Sequence, residues 1–164
     1  MIVIGIDPGT AIIGYGLIEE VNNNQLKLLA SGAIRTSADL PNEKRLLILH
    51  EKLKDLLSLN KPDYAAVEKL YFSRNVRTAF SVGQARGVIL LTLTEAGIPI
   101  EEYNPLEVKQ AVTGYGGASK RQVQVMVKNL LELPEIPSPD DVADALAVAI
   151  CHLHSYRLKN LEKH

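Results

Sequence analysis

Asp7 and Glu68 each close a short apolar run, and Asp141 and Asp144 stand three residues apart near the C-terminus. An apolar strand gains no stability by ending in a buried acid, because an unpaired desolvated carboxylate is strongly unfavourable. The acids therefore call for compensating positive charge at a shared site, and a divalent cation is the simplest source. Hard oxygen donors suit Mg2+, with Mn2+ as its substitute, rather than zinc.

Each acid has a plainer alternative. Asp7 stands in Gly5-Ile6-Asp7-Pro8-Gly9-Thr10, where it could simply cap its own turn. Gly9 there permits close approach of another backbone or a phosphate. Asp141 could be a first-turn acid favoured by the helix dipole. Asp144 has no such role: it lies past the first turn, inside Val142-Ala143-Asp144-Ala145-Leu146-Ala147-Val148-Ala149. Residues three apart share one helix face, so Asp141 and Asp144 could share a cation. The small residues around them let the helix approach a sheet closely enough to reach Asp7. Glu68 ends Ala65-Ala66-Val67 and would point at the same spot from a neighbouring strand.

The elements that must position these acids are legible in the periodicity. Residues 1–7 form a continuous apolar run stopped by Pro8-Gly9, the pattern of a buried strand entering a tight turn. Strands over 12–20 and 26–35 follow, with Asn22-Asn23-Asn24 as the turn between them, which predicts an antiparallel meander. Leu46, Leu49, Leu53, Leu56 and Leu57 recur at helical spacing across 43–59, and Pro62 ends that pattern. A strand over 64–67 comes next, then a helix over 77–96 closed by Gly97 and Pro99, then a strand over 98–103. Three helices complete the chain: Pro105 to about Val112, a second N-capped by Ser119 and running to Leu131, and a third opened by Ser138-Pro139. Three strands followed by alternating helix and strand predict an α/β fold, a mixed sheet covered by helices.

Charge is distributed unevenly. Residues 69–87 and 108–128 carry +8 with no acid, so the rest of a chain whose net charge is −1 carries −9. Helices that only solvate themselves mix signs for i,i+4 pairing, whereas a localised basic footprint is what a polyanion requires. Tyr71-Phe72 lies between Glu68 and the cations Arg74 and Arg77, an arrangement in which an aromatic ring stacks on a base while guanidinium groups hold phosphates. Packing of one ring into the core is the plain alternative. Gly114-Tyr115-Gly116-Gly117-Ala118-Ser119-Lys120 superficially resembles a phosphate-cradling loop, but no strand leads into it, and a mobile connection with Gly116 and Gly117 as flexible points is the better reading. His50 reads as a surface residue, and His152 and His154 as helix-end residues that complement the dipole.

Taken in order, Gly5-Ile6-Asp7-Pro8-Gly9, Val67-Glu68, Gly83-Gln84-Ala85-Arg86-Gly87, Val108-Lys109-Gln110 and Ala143-Asp144-Ala145-Leu146-Ala147 resemble the RuvC family of Holliday junction resolvases, in the ribonuclease H-like superfamily. The resemblance implies a five-stranded mixed sheet flanked by helices, one nuclease domain spanning 1–164 with about 158–164 as a flexible tail. It also implies a structure-specific endonuclease that makes paired nicks in a four-way DNA junction during recombination and repair. The family's four metal-binding acids fall on Asp7, Glu68, Asp141 and Asp144, with two ions roughly 3.5 to 4 Å apart. Lys109 and Lys120 match its basic DNA contacts, with Arg121 beside them, and Lys120 could also stabilise charge on the pentavalent phosphate or serve only as an anchor. The inserting aromatic falls on Tyr71, with Phe72 adjacent. The family implies RuvA and RuvB as branch-migration partners.

A junction with approximate two-fold symmetry favours a homodimer, and the strip of Ala79, Gly83 and Gly87 is the candidate seam. A single cysteine, Cys151, excludes an intramolecular disulfide and a multi-cysteine zinc cage. The N-terminus lacks the basic flank of a signal peptide and no run reaches membrane-spanning length, so the expected location is cytoplasmic, away from membranes. Two alternatives fit less well. A non-catalytic junction-binding protein would not need the four acids, and an actin-like ATPase would need a second nucleotide-binding half.

Overall fold

The computed structural model describes residues 1–22, 25–70 and 76–161. Its elements are β1 (Ile2–Asp7), β2 (Ile12–Glu20), β3 (Leu26–Arg35), α1 (Asn42–Asn60), β4 (Tyr64–Glu68), α2 (Val76–Glu95), β5 (Ile100–Tyr103), α3 (Pro105–Thr113), α4 (Lys120–Leu130) and α5 (Asp140–Leu161). The strands form one five-stranded sheet in the order β3-β2-β1-β4-β5. β1 and β2 pair antiparallel, as do β2 and β3, whereas β1–β4 and β4–β5 are parallel. The expected mixed sheet, with its antiparallel meander first, is present.

Local chemistry sets the boundaries. Lys61 closes α1 in the left-handed conformation (φ 44°) and Pro62 follows it. Gly97 does the same after α2 at φ 70°. Asn104 and Ser119 each form a reciprocal capping box, with Glu107 and Gln122 respectively, which satisfies amide groups that a helix start leaves unpaired. β5 begins at Ile100, two residues later than expected, because Pro99 has no amide to donate; its carbonyl still accepts from Ala65 at 2.9 Å.

Alternation along the strands splits the core in two. Ile4, Ile6, Ile13, Leu17, Ala65 and Val67 face α1 and α2, where they meet Leu49, Leu53, Ala85, Ile89 and Leu93. Val3, Ile18, Ala66 and Tyr103 face the other way, against Val142, Leu146, Ala149 and Ile150 of α5, with α3 and α4 packed outside. On this second face the sheet presents glycine. A Cβ on Gly5 would stand 2.0 Å from the Ala145 carbonyl oxygen, and one on Gly16 would stand 2.3 Å from Leu146 Cδ2. α5 can lie this low only because those positions have no side chain.

Several expectations need correction. α5 continues to Leu161, so its helical backbone runs into the 158–164 segment, and residues 162–164 lie outside the described residues. His152 therefore sits within the helix, buried, with Tyr103 Oη 2.9 Å from its Nδ1 and the rings of Tyr64 and Tyr156 nearby. His154 Nδ1 lies 2.9 Å from the Ala111 carbonyl oxygen, and His50 Nδ1 lies 2.8 Å from Thr92 Oγ1. The 114–118 segment is tied down: the Tyr115 carbonyl oxygen accepts from Thr113 Oγ1 and from the Ala118 amide, at 3.0 and 3.1 Å. Gly116 and Gly117 make room for the Leu106 side chain and the Tyr115 ring. Arg86 is no free cation, since its guanidinium pairs with Glu102 on β5. Among the described residues, no helix is long and apolar enough to cross a membrane.

Candidate active site

Asp7 and Glu68 are brought together by register. Ile6 pairs with Val67 across parallel β1 and β4, so the next residue on each strand is an acid, at adjacent strand ends. Alternation places Asp7 on the same face as Val3 and Gly5, and Glu68 on that of Ala66, which is the face covered by α5. Across the other edge of β1, Asp7 pairs with Gly14, whose missing Cβ would lie 1.9 Å from the Asp141 carbonyl oxygen. The first turn of α5 is thus set down beside Asp7, and Asp144 follows one turn later.

The loop after Asp7 is built to stay still. Arg45 of α1 donates from Nη2 to the Thr10 carbonyl oxygen at 2.8 Å and from Nε to Thr36 Oγ1 at 3.1 Å. A Cβ on Gly9 would fall 2.1 Å from the Ile12 carbonyl oxygen, so this glycine serves a close backbone approach within the turn.

Among the described residues, one cation reaches the acids. Lys120, the first residue of α4, places Nζ 3.0 Å from Asp144 Oδ2 and 3.3 Å from Asp140 Oδ2. Gln124, one turn further along α4 and buried, donates from Nε2 to Asp140 Oδ1 at 3.0 Å. Asp140 and Gln124 were not expected from the sequence. Acids in a first turn are common and carry no signal of their own; only the i,i+4 spacing of Lys120 and Gln124 hints that both could face one partner.

The electrostatics are those of crowded acids. Burial pushes the Asp7 carboxyl up from 3.8 to about 8, and the charges of Glu68, Asp144 and Asp141 push the same way. Burial also raises Glu68, with Asp144 adding to the effect; the hydrogen bond from Asp7 and the charge of Lys120 pull it back only in part. Asp144 is raised by burial despite its ion pair with Lys120. Burial disfavours the Lys120 ammonium, but Asp144 and Asp140 outweigh that and hold it above the ordinary lysine value. Asp7 and Glu68 are hydrogen-bonded to each other, and the Lys120 ammonium pairs with Asp144 and Asp140.

Among the described residues no three histidine, cysteine or acidic side chains stand as a finished cage for an ion. The donor chemistry nonetheless fits divalent cations. Buried carboxyls such as Asp7, Glu68 and Asp144, whose proton affinity is raised, are ones that a hard dication would deprotonate and bind. Asp7, Glu68, Asp141 and Asp144 are the residues that could hold it.

The remaining expected contacts are spread more widely. Arg121 is exposed beside Lys120 and lines an open cavity of about 360 Å3 with Tyr115, Val125 and Met126. Lys109 is half-buried on α3, and Arg77 is exposed at the start of α2. Tyr71, Phe72 and Arg74 lie outside the described residues. A larger cavity, about 770 Å3 between α3 and α5, is lined by Leu106, Gln110, His154 and Leu158 and contains none of the four acids.

The chain is similar to known proteins along nearly its whole length. The family model described as crossover junction endodeoxyribonuclease RuvC matches residues 3–152. A crossover junction endodeoxyribonuclease RuvC of Desulforamulus reducens is 58% identical over 152 residues, covering 93% of each chain. Among solved structures, Thermus thermophilus RuvC in complex with a Holliday junction substrate is similar with a TM-score of 0.92 and 37% identity, over 97% of this chain and 96% of that one. The yeast mitochondrial Holliday junction resolvase Ydc2, at 14% identity and a TM-score of 0.70 over 98% of this chain and 83% of that one, shares the fold.

Proposed function

The chain belongs to the RuvC family of crossover junction endodeoxyribonucleases, and from that premise we propose that it cuts four-way DNA junctions with Asp7, Glu68, Asp141 and Asp144 as the holders of its catalytic cations. The activity, hydrolysis of DNA at Holliday junctions in recombination and repair, follows from the family. The observation that carries the site is the Asp7 carboxyl held at about 8 by burial and three neighbouring acids. A fold that only needed stability would not gather these groups without counter-charge.

Mg2+, or Mn2+ in its place, held there by Asp7, Glu68, Asp141 and Asp144 would supply Lewis-acid polarisation of a phosphate oxygen and a bound water acidic enough to act as a nucleophile near neutral pH. The protein's own part is to orient and to exchange charge. Asp7 and Glu68, fixed by strand register, would lose to solvent whatever proton burial makes them keep as a cation binds. Asp141 and Asp144 approach from a helix that glycine allows to lie close. Lys120, at 3.0 Å from Asp144, is the nearby cation that would meet the developing charge of the phosphate.

The basic side chains Arg77, Lys109 and Arg121 are proposed phosphate contacts, with Tyr71 or Phe72 as the stacking aromatic. Two nicks in one encounter require two sites, and the proposed assembly is a symmetric homodimer through α2. A Cβ at Gly83 or Gly87 would meet nothing within 4 Å, and Phe80 and Leu91 are 68% and 57% exposed on that helix. RuvA and RuvB are proposed partners by family resemblance. The test is cleavage of a synthetic four-way junction against Mg2+ concentration, with Asp7→Asn, Glu68→Gln, Asp141→Asn and Asp144→Asn beside the wild type. Each amide variant should bind the junction and fail to cut it. Any variant that cuts at the wild-type rate removes its residue from the site.

A further inference from the structure

The Lys120 ammonium has two acidic partners, only one of which is among the four proposed cation-holding acids. Asp144 is half-buried, its side chain 30% exposed, and lies inside the acidic cluster. Asp140 is at the rim, with its side chain 67% exposed, and it is held in place: Gln124 donates to one carboxylate oxygen at 3.0 Å while the other lies 3.3 Å from Lys120 Nζ. Lys120 and Gln124 are four residues apart on α4 and grip the same carboxylate from one helix face. Three side chains from two helices therefore form a short relay, Gln124 to Asp140 to Lys120, that ends at Asp144.

This relay acquires a purpose when a dication arrives. The dication and the ammonium compete for Asp144, and like charges a few ångströms apart repel, so the ammonium has to leave Asp144. Lys120 is the first residue of its helix and, with its side chain 55% exposed, has a flexible stem with water as the alternative destination. The Asp140 carboxylate, outside the cation-holding set and pinned by Gln124, remains available to it.

We infer that Asp140 is a positioning residue that keeps the Lys120 ammonium at the edge of the active site once Asp144 is committed to a cation. Asp140 touches neither cation nor DNA in this scheme; it acts through Lys120. The inference rests on the proposed cation site, and its test separates the two.

The first readout is the reactivity of the Lys120 amine toward an acylating reagent, with exposed Lys27 as internal reference, in the presence and absence of Ca2+ as a cation that binds without supporting cleavage. In the wild type Lys120 should stay protected in both conditions. In Asp140→Asn it should be protected without Ca2+ through Asp144, and become about three to ten times more reactive when Ca2+ is added. Asp140→Glu should restore protection, and Gln124→Leu should give part of the loss. The second readout is single-turnover cleavage at saturating junction, which Asp140→Asn should slow by about tenfold or more and Asp140→Glu should largely restore. Equal Lys120 reactivity in the wild type and Asp140→Asn with Ca2+ bound overturns the inference and leaves the cation site standing. Failure of Ca2+ to bind the wild type in calorimetry overturns the cation site, and the inference with it.

Discussion

Gly14 lies under the carbonyl oxygen of Asp141, so close that a Cβ built on the glycine would stand 1.9 Å from it. The contact fixes the depth at which α5 crosses the sheet, and so the distance of Asp141 and Asp144 from Asp7. Gly14→Ala should therefore lift the first turn of α5, costing about 1 to 3 kcal/mol from overpacking and lowering cleavage more than junction binding. Chemical denaturation against Leu59→Ala gives the control. That side chain is exposed near the end of α1, away from α5, so alanine there should change stability by no more than about 0.5 kcal/mol. Equal losses at both positions would refute the depth argument.

The raised carboxyl of Asp7 makes stability depend on pH in a direction opposite to ordinary acid denaturation. Between 3.8 and about 8 the folded protein keeps a proton that the unfolded chain has released. Stability without divalent cation should thus fall as pH rises through that window. Glu68 and Asp144, both raised, act in the same sense. Melting in a chelator should show the wild type losing ground to Asp7→Asn as pH rises, with about 2 to 4 °C for each kcal/mol relieved. Added Mg2+ should restore the wild type and leave Asp7→Asn nearly unmoved; parallel pH curves for the two proteins would contradict the burial of that charge.

Replacing Lys109 or Arg121 by alanine should weaken junction binding and shallow its salt dependence by about one counterion for each phosphate that the side chain neutralised. Lys120→Ala should do the same and also slow the cut at saturating DNA. Titrations at several salt concentrations, with Ca2+ to block cleavage, separate the two roles. An unchanged slope with impaired cleavage would make Lys120 purely catalytic.

The α2 surface should hold two copies together. Sedimentation at micromolar protein should give about twice 18.0 kDa, and Gly83→Arg should shift the mass toward one chain while leaving its melting curve cooperative. A wild-type monomer that still made paired nicks in one encounter would defeat the dimer.

The sequence carried most of this arrangement. Pro8-Gly9, Pro62 and Gly97 punctuate the chain where the backbone has to turn, and Ser119 announces the start of α4 through a cap that forms with Gln122. The four acids stood out because three of them interrupt or end apolar runs. What stayed hidden depends on distances between segments far apart in the chain. Gly14 and Gly16 could have been read as a close-approach signal inside a strand, yet only the crossing helix shows what approaches. Asp140 looked like an ordinary first-turn acid because its partners, Lys120 and Gln124, lie on another helix. His152 was misplaced because no glycine or proline marks where α5 ends, and Tyr103, which it meets, comes 49 residues earlier.

The order of the elements also has a consequence for synthesis. Asp7 and Glu68 leave the ribosome early, while Asp141 and Asp144 belong to α5, the last element of the fold. A nascent chain that ends between β5 and α5 has all five strands but only two of the four acids, and its glycine face is uncovered. On the proposed assignment of the cation holders such a fragment cannot assemble the site, so the acidic cluster comes together only when α5 docks on the sheet.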